Sequence, residues 1–173
     1  MPASKTLKGV VTSSDRSKMP FDPVFSRILV AYDGSESSRN ALEIAARMAT
    51  MLRGELTILV VVPPEIFPTL PADTYSDVSM PTSADYFDRS MDIYKKALEE
   101  AEKYVADSCP QLNVETALKE GRPATVIVSE AERMNADLIV IANRGLGGIT
   151  GWLLGSTSHY VVDHCTKPVL VVK

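Results

Sequence analysis

The sequence predicts an α/β fold: a single open five-stranded parallel sheet with helices on both faces. Three observations predict it. Short runs at 27–31, 55–62, 137–142 and 169–172 are almost wholly apolar, as expected of strands buried on both faces of a parallel sheet. Between these runs, apolar residues recur at helical spacing. The resulting order, β-α-β-α-β-α-β-α-β, is that of an open sheet covered on both sides.

Each element has its own signal. Arg27-Ile-Leu-Val-Ala31 reads as the first strand, and Tyr32-Asp33-Gly34-Ser35 as the turn that ends it. Ser35, Ser37 and Ser38 offer N-caps to a helix with apolar positions Ala41, Ala45, Met48 and Leu52 and with Gly54 as its stop. Glu55 to Val62 is the second strand. Residues 63–83 hold Pro63, Pro64, Pro68, Pro71 and Pro81, which marks a long loop of the kind that serves as a lid or stays disordered. A helix over 84–108 carries the seam Met91, Tyr94, Leu98, Ala101 and Val105, with Glu99, Glu100 and Glu102 on its solvated face. Residues 112–118 alternate through Leu112, Val114, Thr116 and Leu118 as a third strand. Glu120-Gly121-Arg122-Pro123 turns into a helix that ends near Asn135, with Pro123 at its first position and apolar residues at Ala124, Ile127, Val128, Ala131 and Met134. The fourth strand is 137–142. The last helix covers about 156–165, with Ser158, Val161, Val162 and Cys165 on one side, and Pro168 precedes the strand 169–172.

Composition narrows the function classes. The 173 residues suit one domain with a full core. We expect 1–25 to be a flexible N-terminal arm and 26–173 the folded domain. A net charge of −4 and a pI of about 5.2 argue against a nucleic-acid partner. No apolar stretch is long enough to span a bilayer, and residues 1–22 lack the apolar core of a secretory signal. Cys109 and Cys165 form no zinc or redox pattern, so free thiols in the cytoplasm are expected.

Ligands of such sheets bind outside the carboxyl ends of the strands, where the strand order reverses. Asp33 follows the first strand. Asn143-Arg144-Gly145-Leu146-Gly147-Gly148 follows the fourth, and Gly155-Ser156-Thr157 opens the last helix. Small residues let a backbone approach a ligand closely, and the N–H groups and dipole of a helix start favour an anion such as phosphate. The P-loop pattern is excluded, because no Gly-Lys pair follows a strand. The dinucleotide fingerprint fails at Thr150, which stands at the third glycine position. No acid/base pair or nucleophile with a partnered base is visible, so the pattern points to binding rather than catalysis. His159 and His164 do not share a helical face, and His159 with Asp163 is at most an i, i+4 pair. Trp152 reads as a packing or interface residue.

What remains is Ala142-x-x-Gly145, nine residues from Leu146 to Leu154, then Gly155-Ser156. This resembles the universal stress protein family, whose nucleotide-binding members carry Gly-x-x-Gly, nine residues, and Gly-Ser/Thr. The blocks Arg27-Ile-Leu-Val-Ala-Tyr-Asp-Gly-Ser, Gly121-Arg-Pro-Ala, Ala136-Asp-Leu-Ile-Val, Leu153-Leu-Gly-Ser and Lys167-Pro-Val-Leu-Val-Val extend the resemblance over roughly residues 26–173. It implies an adenine nucleotide alpha hydrolase-like sheet of order 3-2-1-4-5, usually dimeric. The strand 169–172 looks like an edge that would pair with a second copy. The resemblance also implies ATP or another adenine nucleotide as ligand, with Mg2+ arriving on the nucleotide, since one Asp is a poor cage by itself.

Carried over by position, the cofactor-binding set is Ala31, Tyr32, Asp33, Val61, Ala142, Asn143, Arg144, Gly145, Gly147, Gly148, Gly155, Ser156 and Thr157. Asp33 would contact ribose or base, Val61 would line the adenine pocket, and Gly145 would approach the phosphates. Gly155, Ser156 and Thr157 would donate to the phosphates. Ala142 departs from the family glycine. If that position needs positive φ, alanine costs about 1–2 kcal/mol; if φ is negative, it adds only a methyl group. Two other readings stand beside this one. One is a family member that binds no nucleotide and works through protein contacts. The other is an ATP-cleaving enzyme of the related α-hydrolase fold, for which Asp33-Gly34-Ser35-Glu36-Ser37-Ser38 is a poor match to Ser-Gly-Gly-x-Asp-Ser.

Overall fold

The computed structural model describes residues 24–64, 83–145 and 154–173, and for residues 83–90 the backbone alone. The expected N-terminal arm up to residue 23, most of the proline-rich loop, Gly147, Gly148 and Trp152 lie outside the described residues.

The strands are β1 (Arg27–Tyr32), β2 (Glu55–Val62), β3 (Asn113–Glu120), β4 (Leu138–Ala142) and β5 (Val169–Val172). The helices between them are α1 (Glu36–Leu52), α2 (Ser83–Ser108), α3 (Pro123–Arg133) and α4 (Ser156–His164). The five strands form one sheet in the order β3-β2-β1-β4-β5, with every pair parallel. Fold class and strand order are therefore those the sequence and the family resemblance predict.

The twofold period of β1 divides the core into two layers. Ile28, Val30 and Tyr32 face α1 and α2, where they pack with Leu42, Ala45, Ala49, Leu98, Ala101 and Val105. Leu29 and Ala31 face the other way, toward Ile127 and Ala131 of α3 and Val161 of α4. Helices thus leave β1 and β4 on opposite faces, and the switch in strand order falls between these two strands.

Local chemistry fixes the element ends. Ser35 caps α1, with its Oγ accepting from the Ser38 N–H at 3.2 Å. At the other end the left-handed residue is Arg53 (φ 53°), not the expected Gly54. Gly54 is there for space: an added Cβ would lie 2.6 Å from the Ser26 carbonyl oxygen, which accepts from the Glu55 N–H. β3 runs to Glu120 rather than ending at Leu118, because its ladder with β2 continues to the Val62–Glu120 pair. On α4 only Ser158 and Val161 are buried; Val162, expected on the same side, is 44% exposed. The helix is short, and its inward stripe is one side chain wide.

The end of the sheet opposite the β1 and β4 carboxyl ends is tied by Asp137. Its Oδ2 accepts from the backbone N–H groups of Ser26 and Arg27 at 3.1 and 2.9 Å, and its Oδ1 pairs with Arg27 Nη2 at 3.1 Å. Burial opposes the charge on this carboxylate, but the Arg27 side chain and the two amides outweigh it and hold the pKa below its ordinary value. A carboxylate with a lowered folded-state pKa stabilises the fold above the unfolded-state pKa, about 3.9, and loses that contribution as pH falls through the folded value. Asp137→Asn is expected to lower the unfolding free energy by about 1–2 kcal/mol at pH 7. In urea unfolding series at several pH values, the gap between variant and native protein should narrow below about pH 4. A gap that stays constant down to pH 2 would contradict this assignment.

Candidate functional site

A cleft of about 610 Å³ opens at the carboxyl ends of β1 and β4, within the usual range for a small-molecule site. Two kinds of surface meet in it. Ala31, Leu59, Val61, Ile127 and Ile141 form an almost fully buried apolar floor, extended by Pro123 at the start of α3. Asp33, Arg144, Gly145, Gly155, Ser156 and Thr157 supply the polar side.

Parallel pairing of β1 with β4 brings the two sequence-distant loops together. Asp33 leaves the end of β1, and its Oδ1 accepts from the Ser35 N–H at 3.0 Å. Ser37 Oγ donates to the Arg144 carbonyl at 2.8 Å, which straps the start of α1 to the loop after β4. Behind that loop the Asn143 backbone is fully engaged. Its N–H donates to Val172 at 2.6 Å, and its carbonyl accepts from the Gly155 N–H at 2.7 Å and from Ser158 Oγ at 2.9 Å. These bonds set the start of α4 against the end of β4.

Gly155 is the N-cap of α4 and has no side chain to cap it. The first N–H groups of a helix have no acceptor within the helix, so this helix start offers donors and positive dipole to an anion in the cleft. Gly155 also sits where a Cβ would come within 3.3 Å of the Asn143 carbonyl oxygen.

Of the residues singled out from sequence, Ala31, Tyr32, Asp33, Val61, Ala142, Arg144, Gly145, Gly155, Ser156 and Thr157 line this one cleft. Asn143 does not; its backbone holds α4 in place instead. Gly147 and Gly148 lie outside the described residues. Sequence reasoning missed Ile127, Pro123, Tyr94 and His159, which also line it. Periodicity had marked Ile127 and Tyr94 as packing residues, and only the approach of α3 and α2 to the strand ends makes them wall. His159 stands in the first turn of α4, with Nδ1 3.2 Å from Asp163 Oδ2. The i, i+4 spacing gave the pair but not its place at the cleft. Among the described residues no group of three or more His, Cys, Asp or Glu side chains is placed to hold a metal ion. No described helix is long and apolar enough to cross a membrane.

The universal stress protein family model matches residues 25–173. The chain belongs to the universal stress protein family. The Bacillus subtilis universal stress protein YxiE is 34% identical over 154 residues, covering 87% of this chain and all of YxiE. The structure of the Lactobacillus plantarum universal stress protein UspA superposes with a TM-score of 0.71 at 28% identity, covering 86% of this chain and 98% of that one. A universal stress protein solved in complex with cAMP gives a TM-score of 0.59 at 27% identity, with 86% and 97% covered.

Ala142 ends β4 and is 6% exposed. Among the described non-glycine residues only Arg53 and Asn135 have positive φ. Ala142 therefore carries no left-handed strain, and its side chain amounts to one methyl group on the cleft wall. Ala142→Gly should relieve nothing. It is expected to lower stability by about 0.5–1 kcal/mol through chain entropy, read as a lower denaturant midpoint. A higher midpoint would show strain at this position.

Proposed function

We propose that this universal stress protein binds an adenine nucleotide, ATP foremost, at the β1–β4 cleft and acts as a stress-response binding module or sensor with little or no turnover. The observation that carries this reading is the division of one cleft into an apolar floor and a side built from Asp33 and the uncapped start of α4. A purine would bury its faces against Ala31, Val61 and Ile127. The Asp33 carboxylate would accept from ribose hydroxyls, and the α4 amides around Ser156 and Thr157 would donate to phosphate oxygens. Mg2+ would come with the nucleotide. The cAMP complex of a relative supports an adenine nucleotide as the ligand class. The reading of slow or absent catalysis rests on the described lining residues, which include no lysine to reach a transferring phosphate.

A second reading is favoured by the outer edge of the sheet. β5 pairs with β4 on one side, while Val169, Leu170 and Val171 remain only half-buried. Pairing of this edge with a second copy would give a homodimer working through protein contacts, with or without nucleotide. A cytoplasmic location is consistent with the two free cysteines, Cys109 and Cys165.

Thermal unfolding with and without Mg-ATP separates the two readings. Ligand at about 100 times its dissociation constant adds about 2.7 kcal/mol, or about 5–10 °C for a domain of this size. Asp33→Asn should abolish most of that shift, and phosphate release from ATP should stay at background. No shift at millimolar Mg-ATP would favour the protein-contact reading.

A further inference from the structure

Gly145 follows β4 by three residues and lies directly against Asp33 at the edge of the cleft. Its φ lies outside the left-handed region, unlike those of Gly34 and Gly121. Conformational freedom is therefore not the reason that a glycine stands here. Space is. A Cβ added at Gly145 would lie 2.5 Å from Asp33 Oδ2, whereas a close carbon–oxygen contact is about 3.3–3.6 Å.

A carboxylate that yields disturbs a bond it already makes. Its other oxygen, Oδ1, already accepts from the Ser35 N–H at 3.0 Å. The loop is tied as well, because the Arg144 carbonyl accepts from Ser37 Oγ at 2.8 Å. One residue before Gly145, the chain is thus strapped to the same turn that carries Asp33. By contrast, a Cβ at Gly155 would press on a backbone carbonyl at 3.3 Å, a milder contact that involves no ligand-facing side chain.

We propose that Gly145 is the socket for the Asp33 carboxylate, so that this glycine governs ribose recognition through Asp33. The ribose clause rests on the nucleotide reading above; the socket itself does not. Gly145 is a positioning residue, and the strap from Ser37 to Arg144 holds it at the right depth. An alanine would force the carboxylate off its present place, and an acceptor that has moved aside no longer meets the ribose hydroxyls.

Two measurements test this. The first uses no ligand. Gly145→Ala should lower Tm by about 3–8 °C, and introducing the same change into an Asp33→Ala background should cost less than half of that loss. Equal losses in both backgrounds would overturn the socket. If Gly145→Ala alone does not fold, the Asp33→Ala/Gly145→Ala double variant should restore folded protein, and its failure to do so would overturn the proposal too. The second compares Mg-ATP with Mg-2′,3′-dideoxy-ATP, which lacks the ribose hydroxyls. The native chain should prefer ATP by about tenfold. In Gly145→Ala or Ser37→Ala that preference should narrow to about twofold or less. Equal weakening of both nucleotides by Gly145→Ala, with the preference intact, would return the glycine to a phosphate role and overturn the ribose clause. A native chain that binds no Mg-ATP would overturn the nucleotide reading and the ribose clause with it, while the melting cycle decides the socket separately.

Discussion

Where β1 pairs with β4, the chain sends α1 to one face of the sheet and α4 to the other, and the two departing loops leave a gap between them. That single pairing places Asp33, the Arg144–Gly145 segment and the start of α4 around one space, although more than 100 residues of chain separate the first from the rest. Parallel strands make this possible because all their carboxyl ends lie on one side. The cleft follows from the topology and does not need a separate domain.

The loops around the cleft are tied together mostly through backbone groups. Asn143 contributes its N–H to β5 and its carbonyl to Gly155 and Ser158. Ser37 contributes a hydroxyl to the Arg144 carbonyl. These bonds satisfy polar groups that would be costly to leave unpaired at a half-buried strand end. They also leave the start of α4 directed at the cleft, uncapped by any side chain of its own N-cap residue. The two ends of the sheet are thus built differently. The Arg27–Asp137 contacts tie the amino ends of β1 and β4, and the polar residues of the cleft gather at the carboxyl ends.

The geometry also explains why an alanine suits position 142. A glycine is required where φ is positive or where another atom occupies the Cβ position. Ala142 meets neither condition, being strand residue and cleft wall at once. Gly145 meets the second condition through Asp33, and Gly54 meets it through the Ser26 carbonyl. A motif glycine can thus stand for either of two physical demands.

Much of this was legible in the chain. Apolar runs of 27–31, 55–62 and 137–142 mark buried parallel strands because both faces of such a sheet are covered, and helical spacing marks the elements between them. The Ala142-x-x-Gly145, nine residues, Gly155-Ser156 spacing marked two segments that line one cleft. What tertiary structure decided was of another kind. It turned Ile127 and Tyr94 from packing residues into cleft wall, and brought His159 to the cleft. It assigned the left-handed turn to Arg53 and gave Gly54 and Gly145 their steric reasons. Periodicity and spacing record which face a residue turns along its own element. Which atom of a distant loop will stand opposite that face is fixed only when the strands pair.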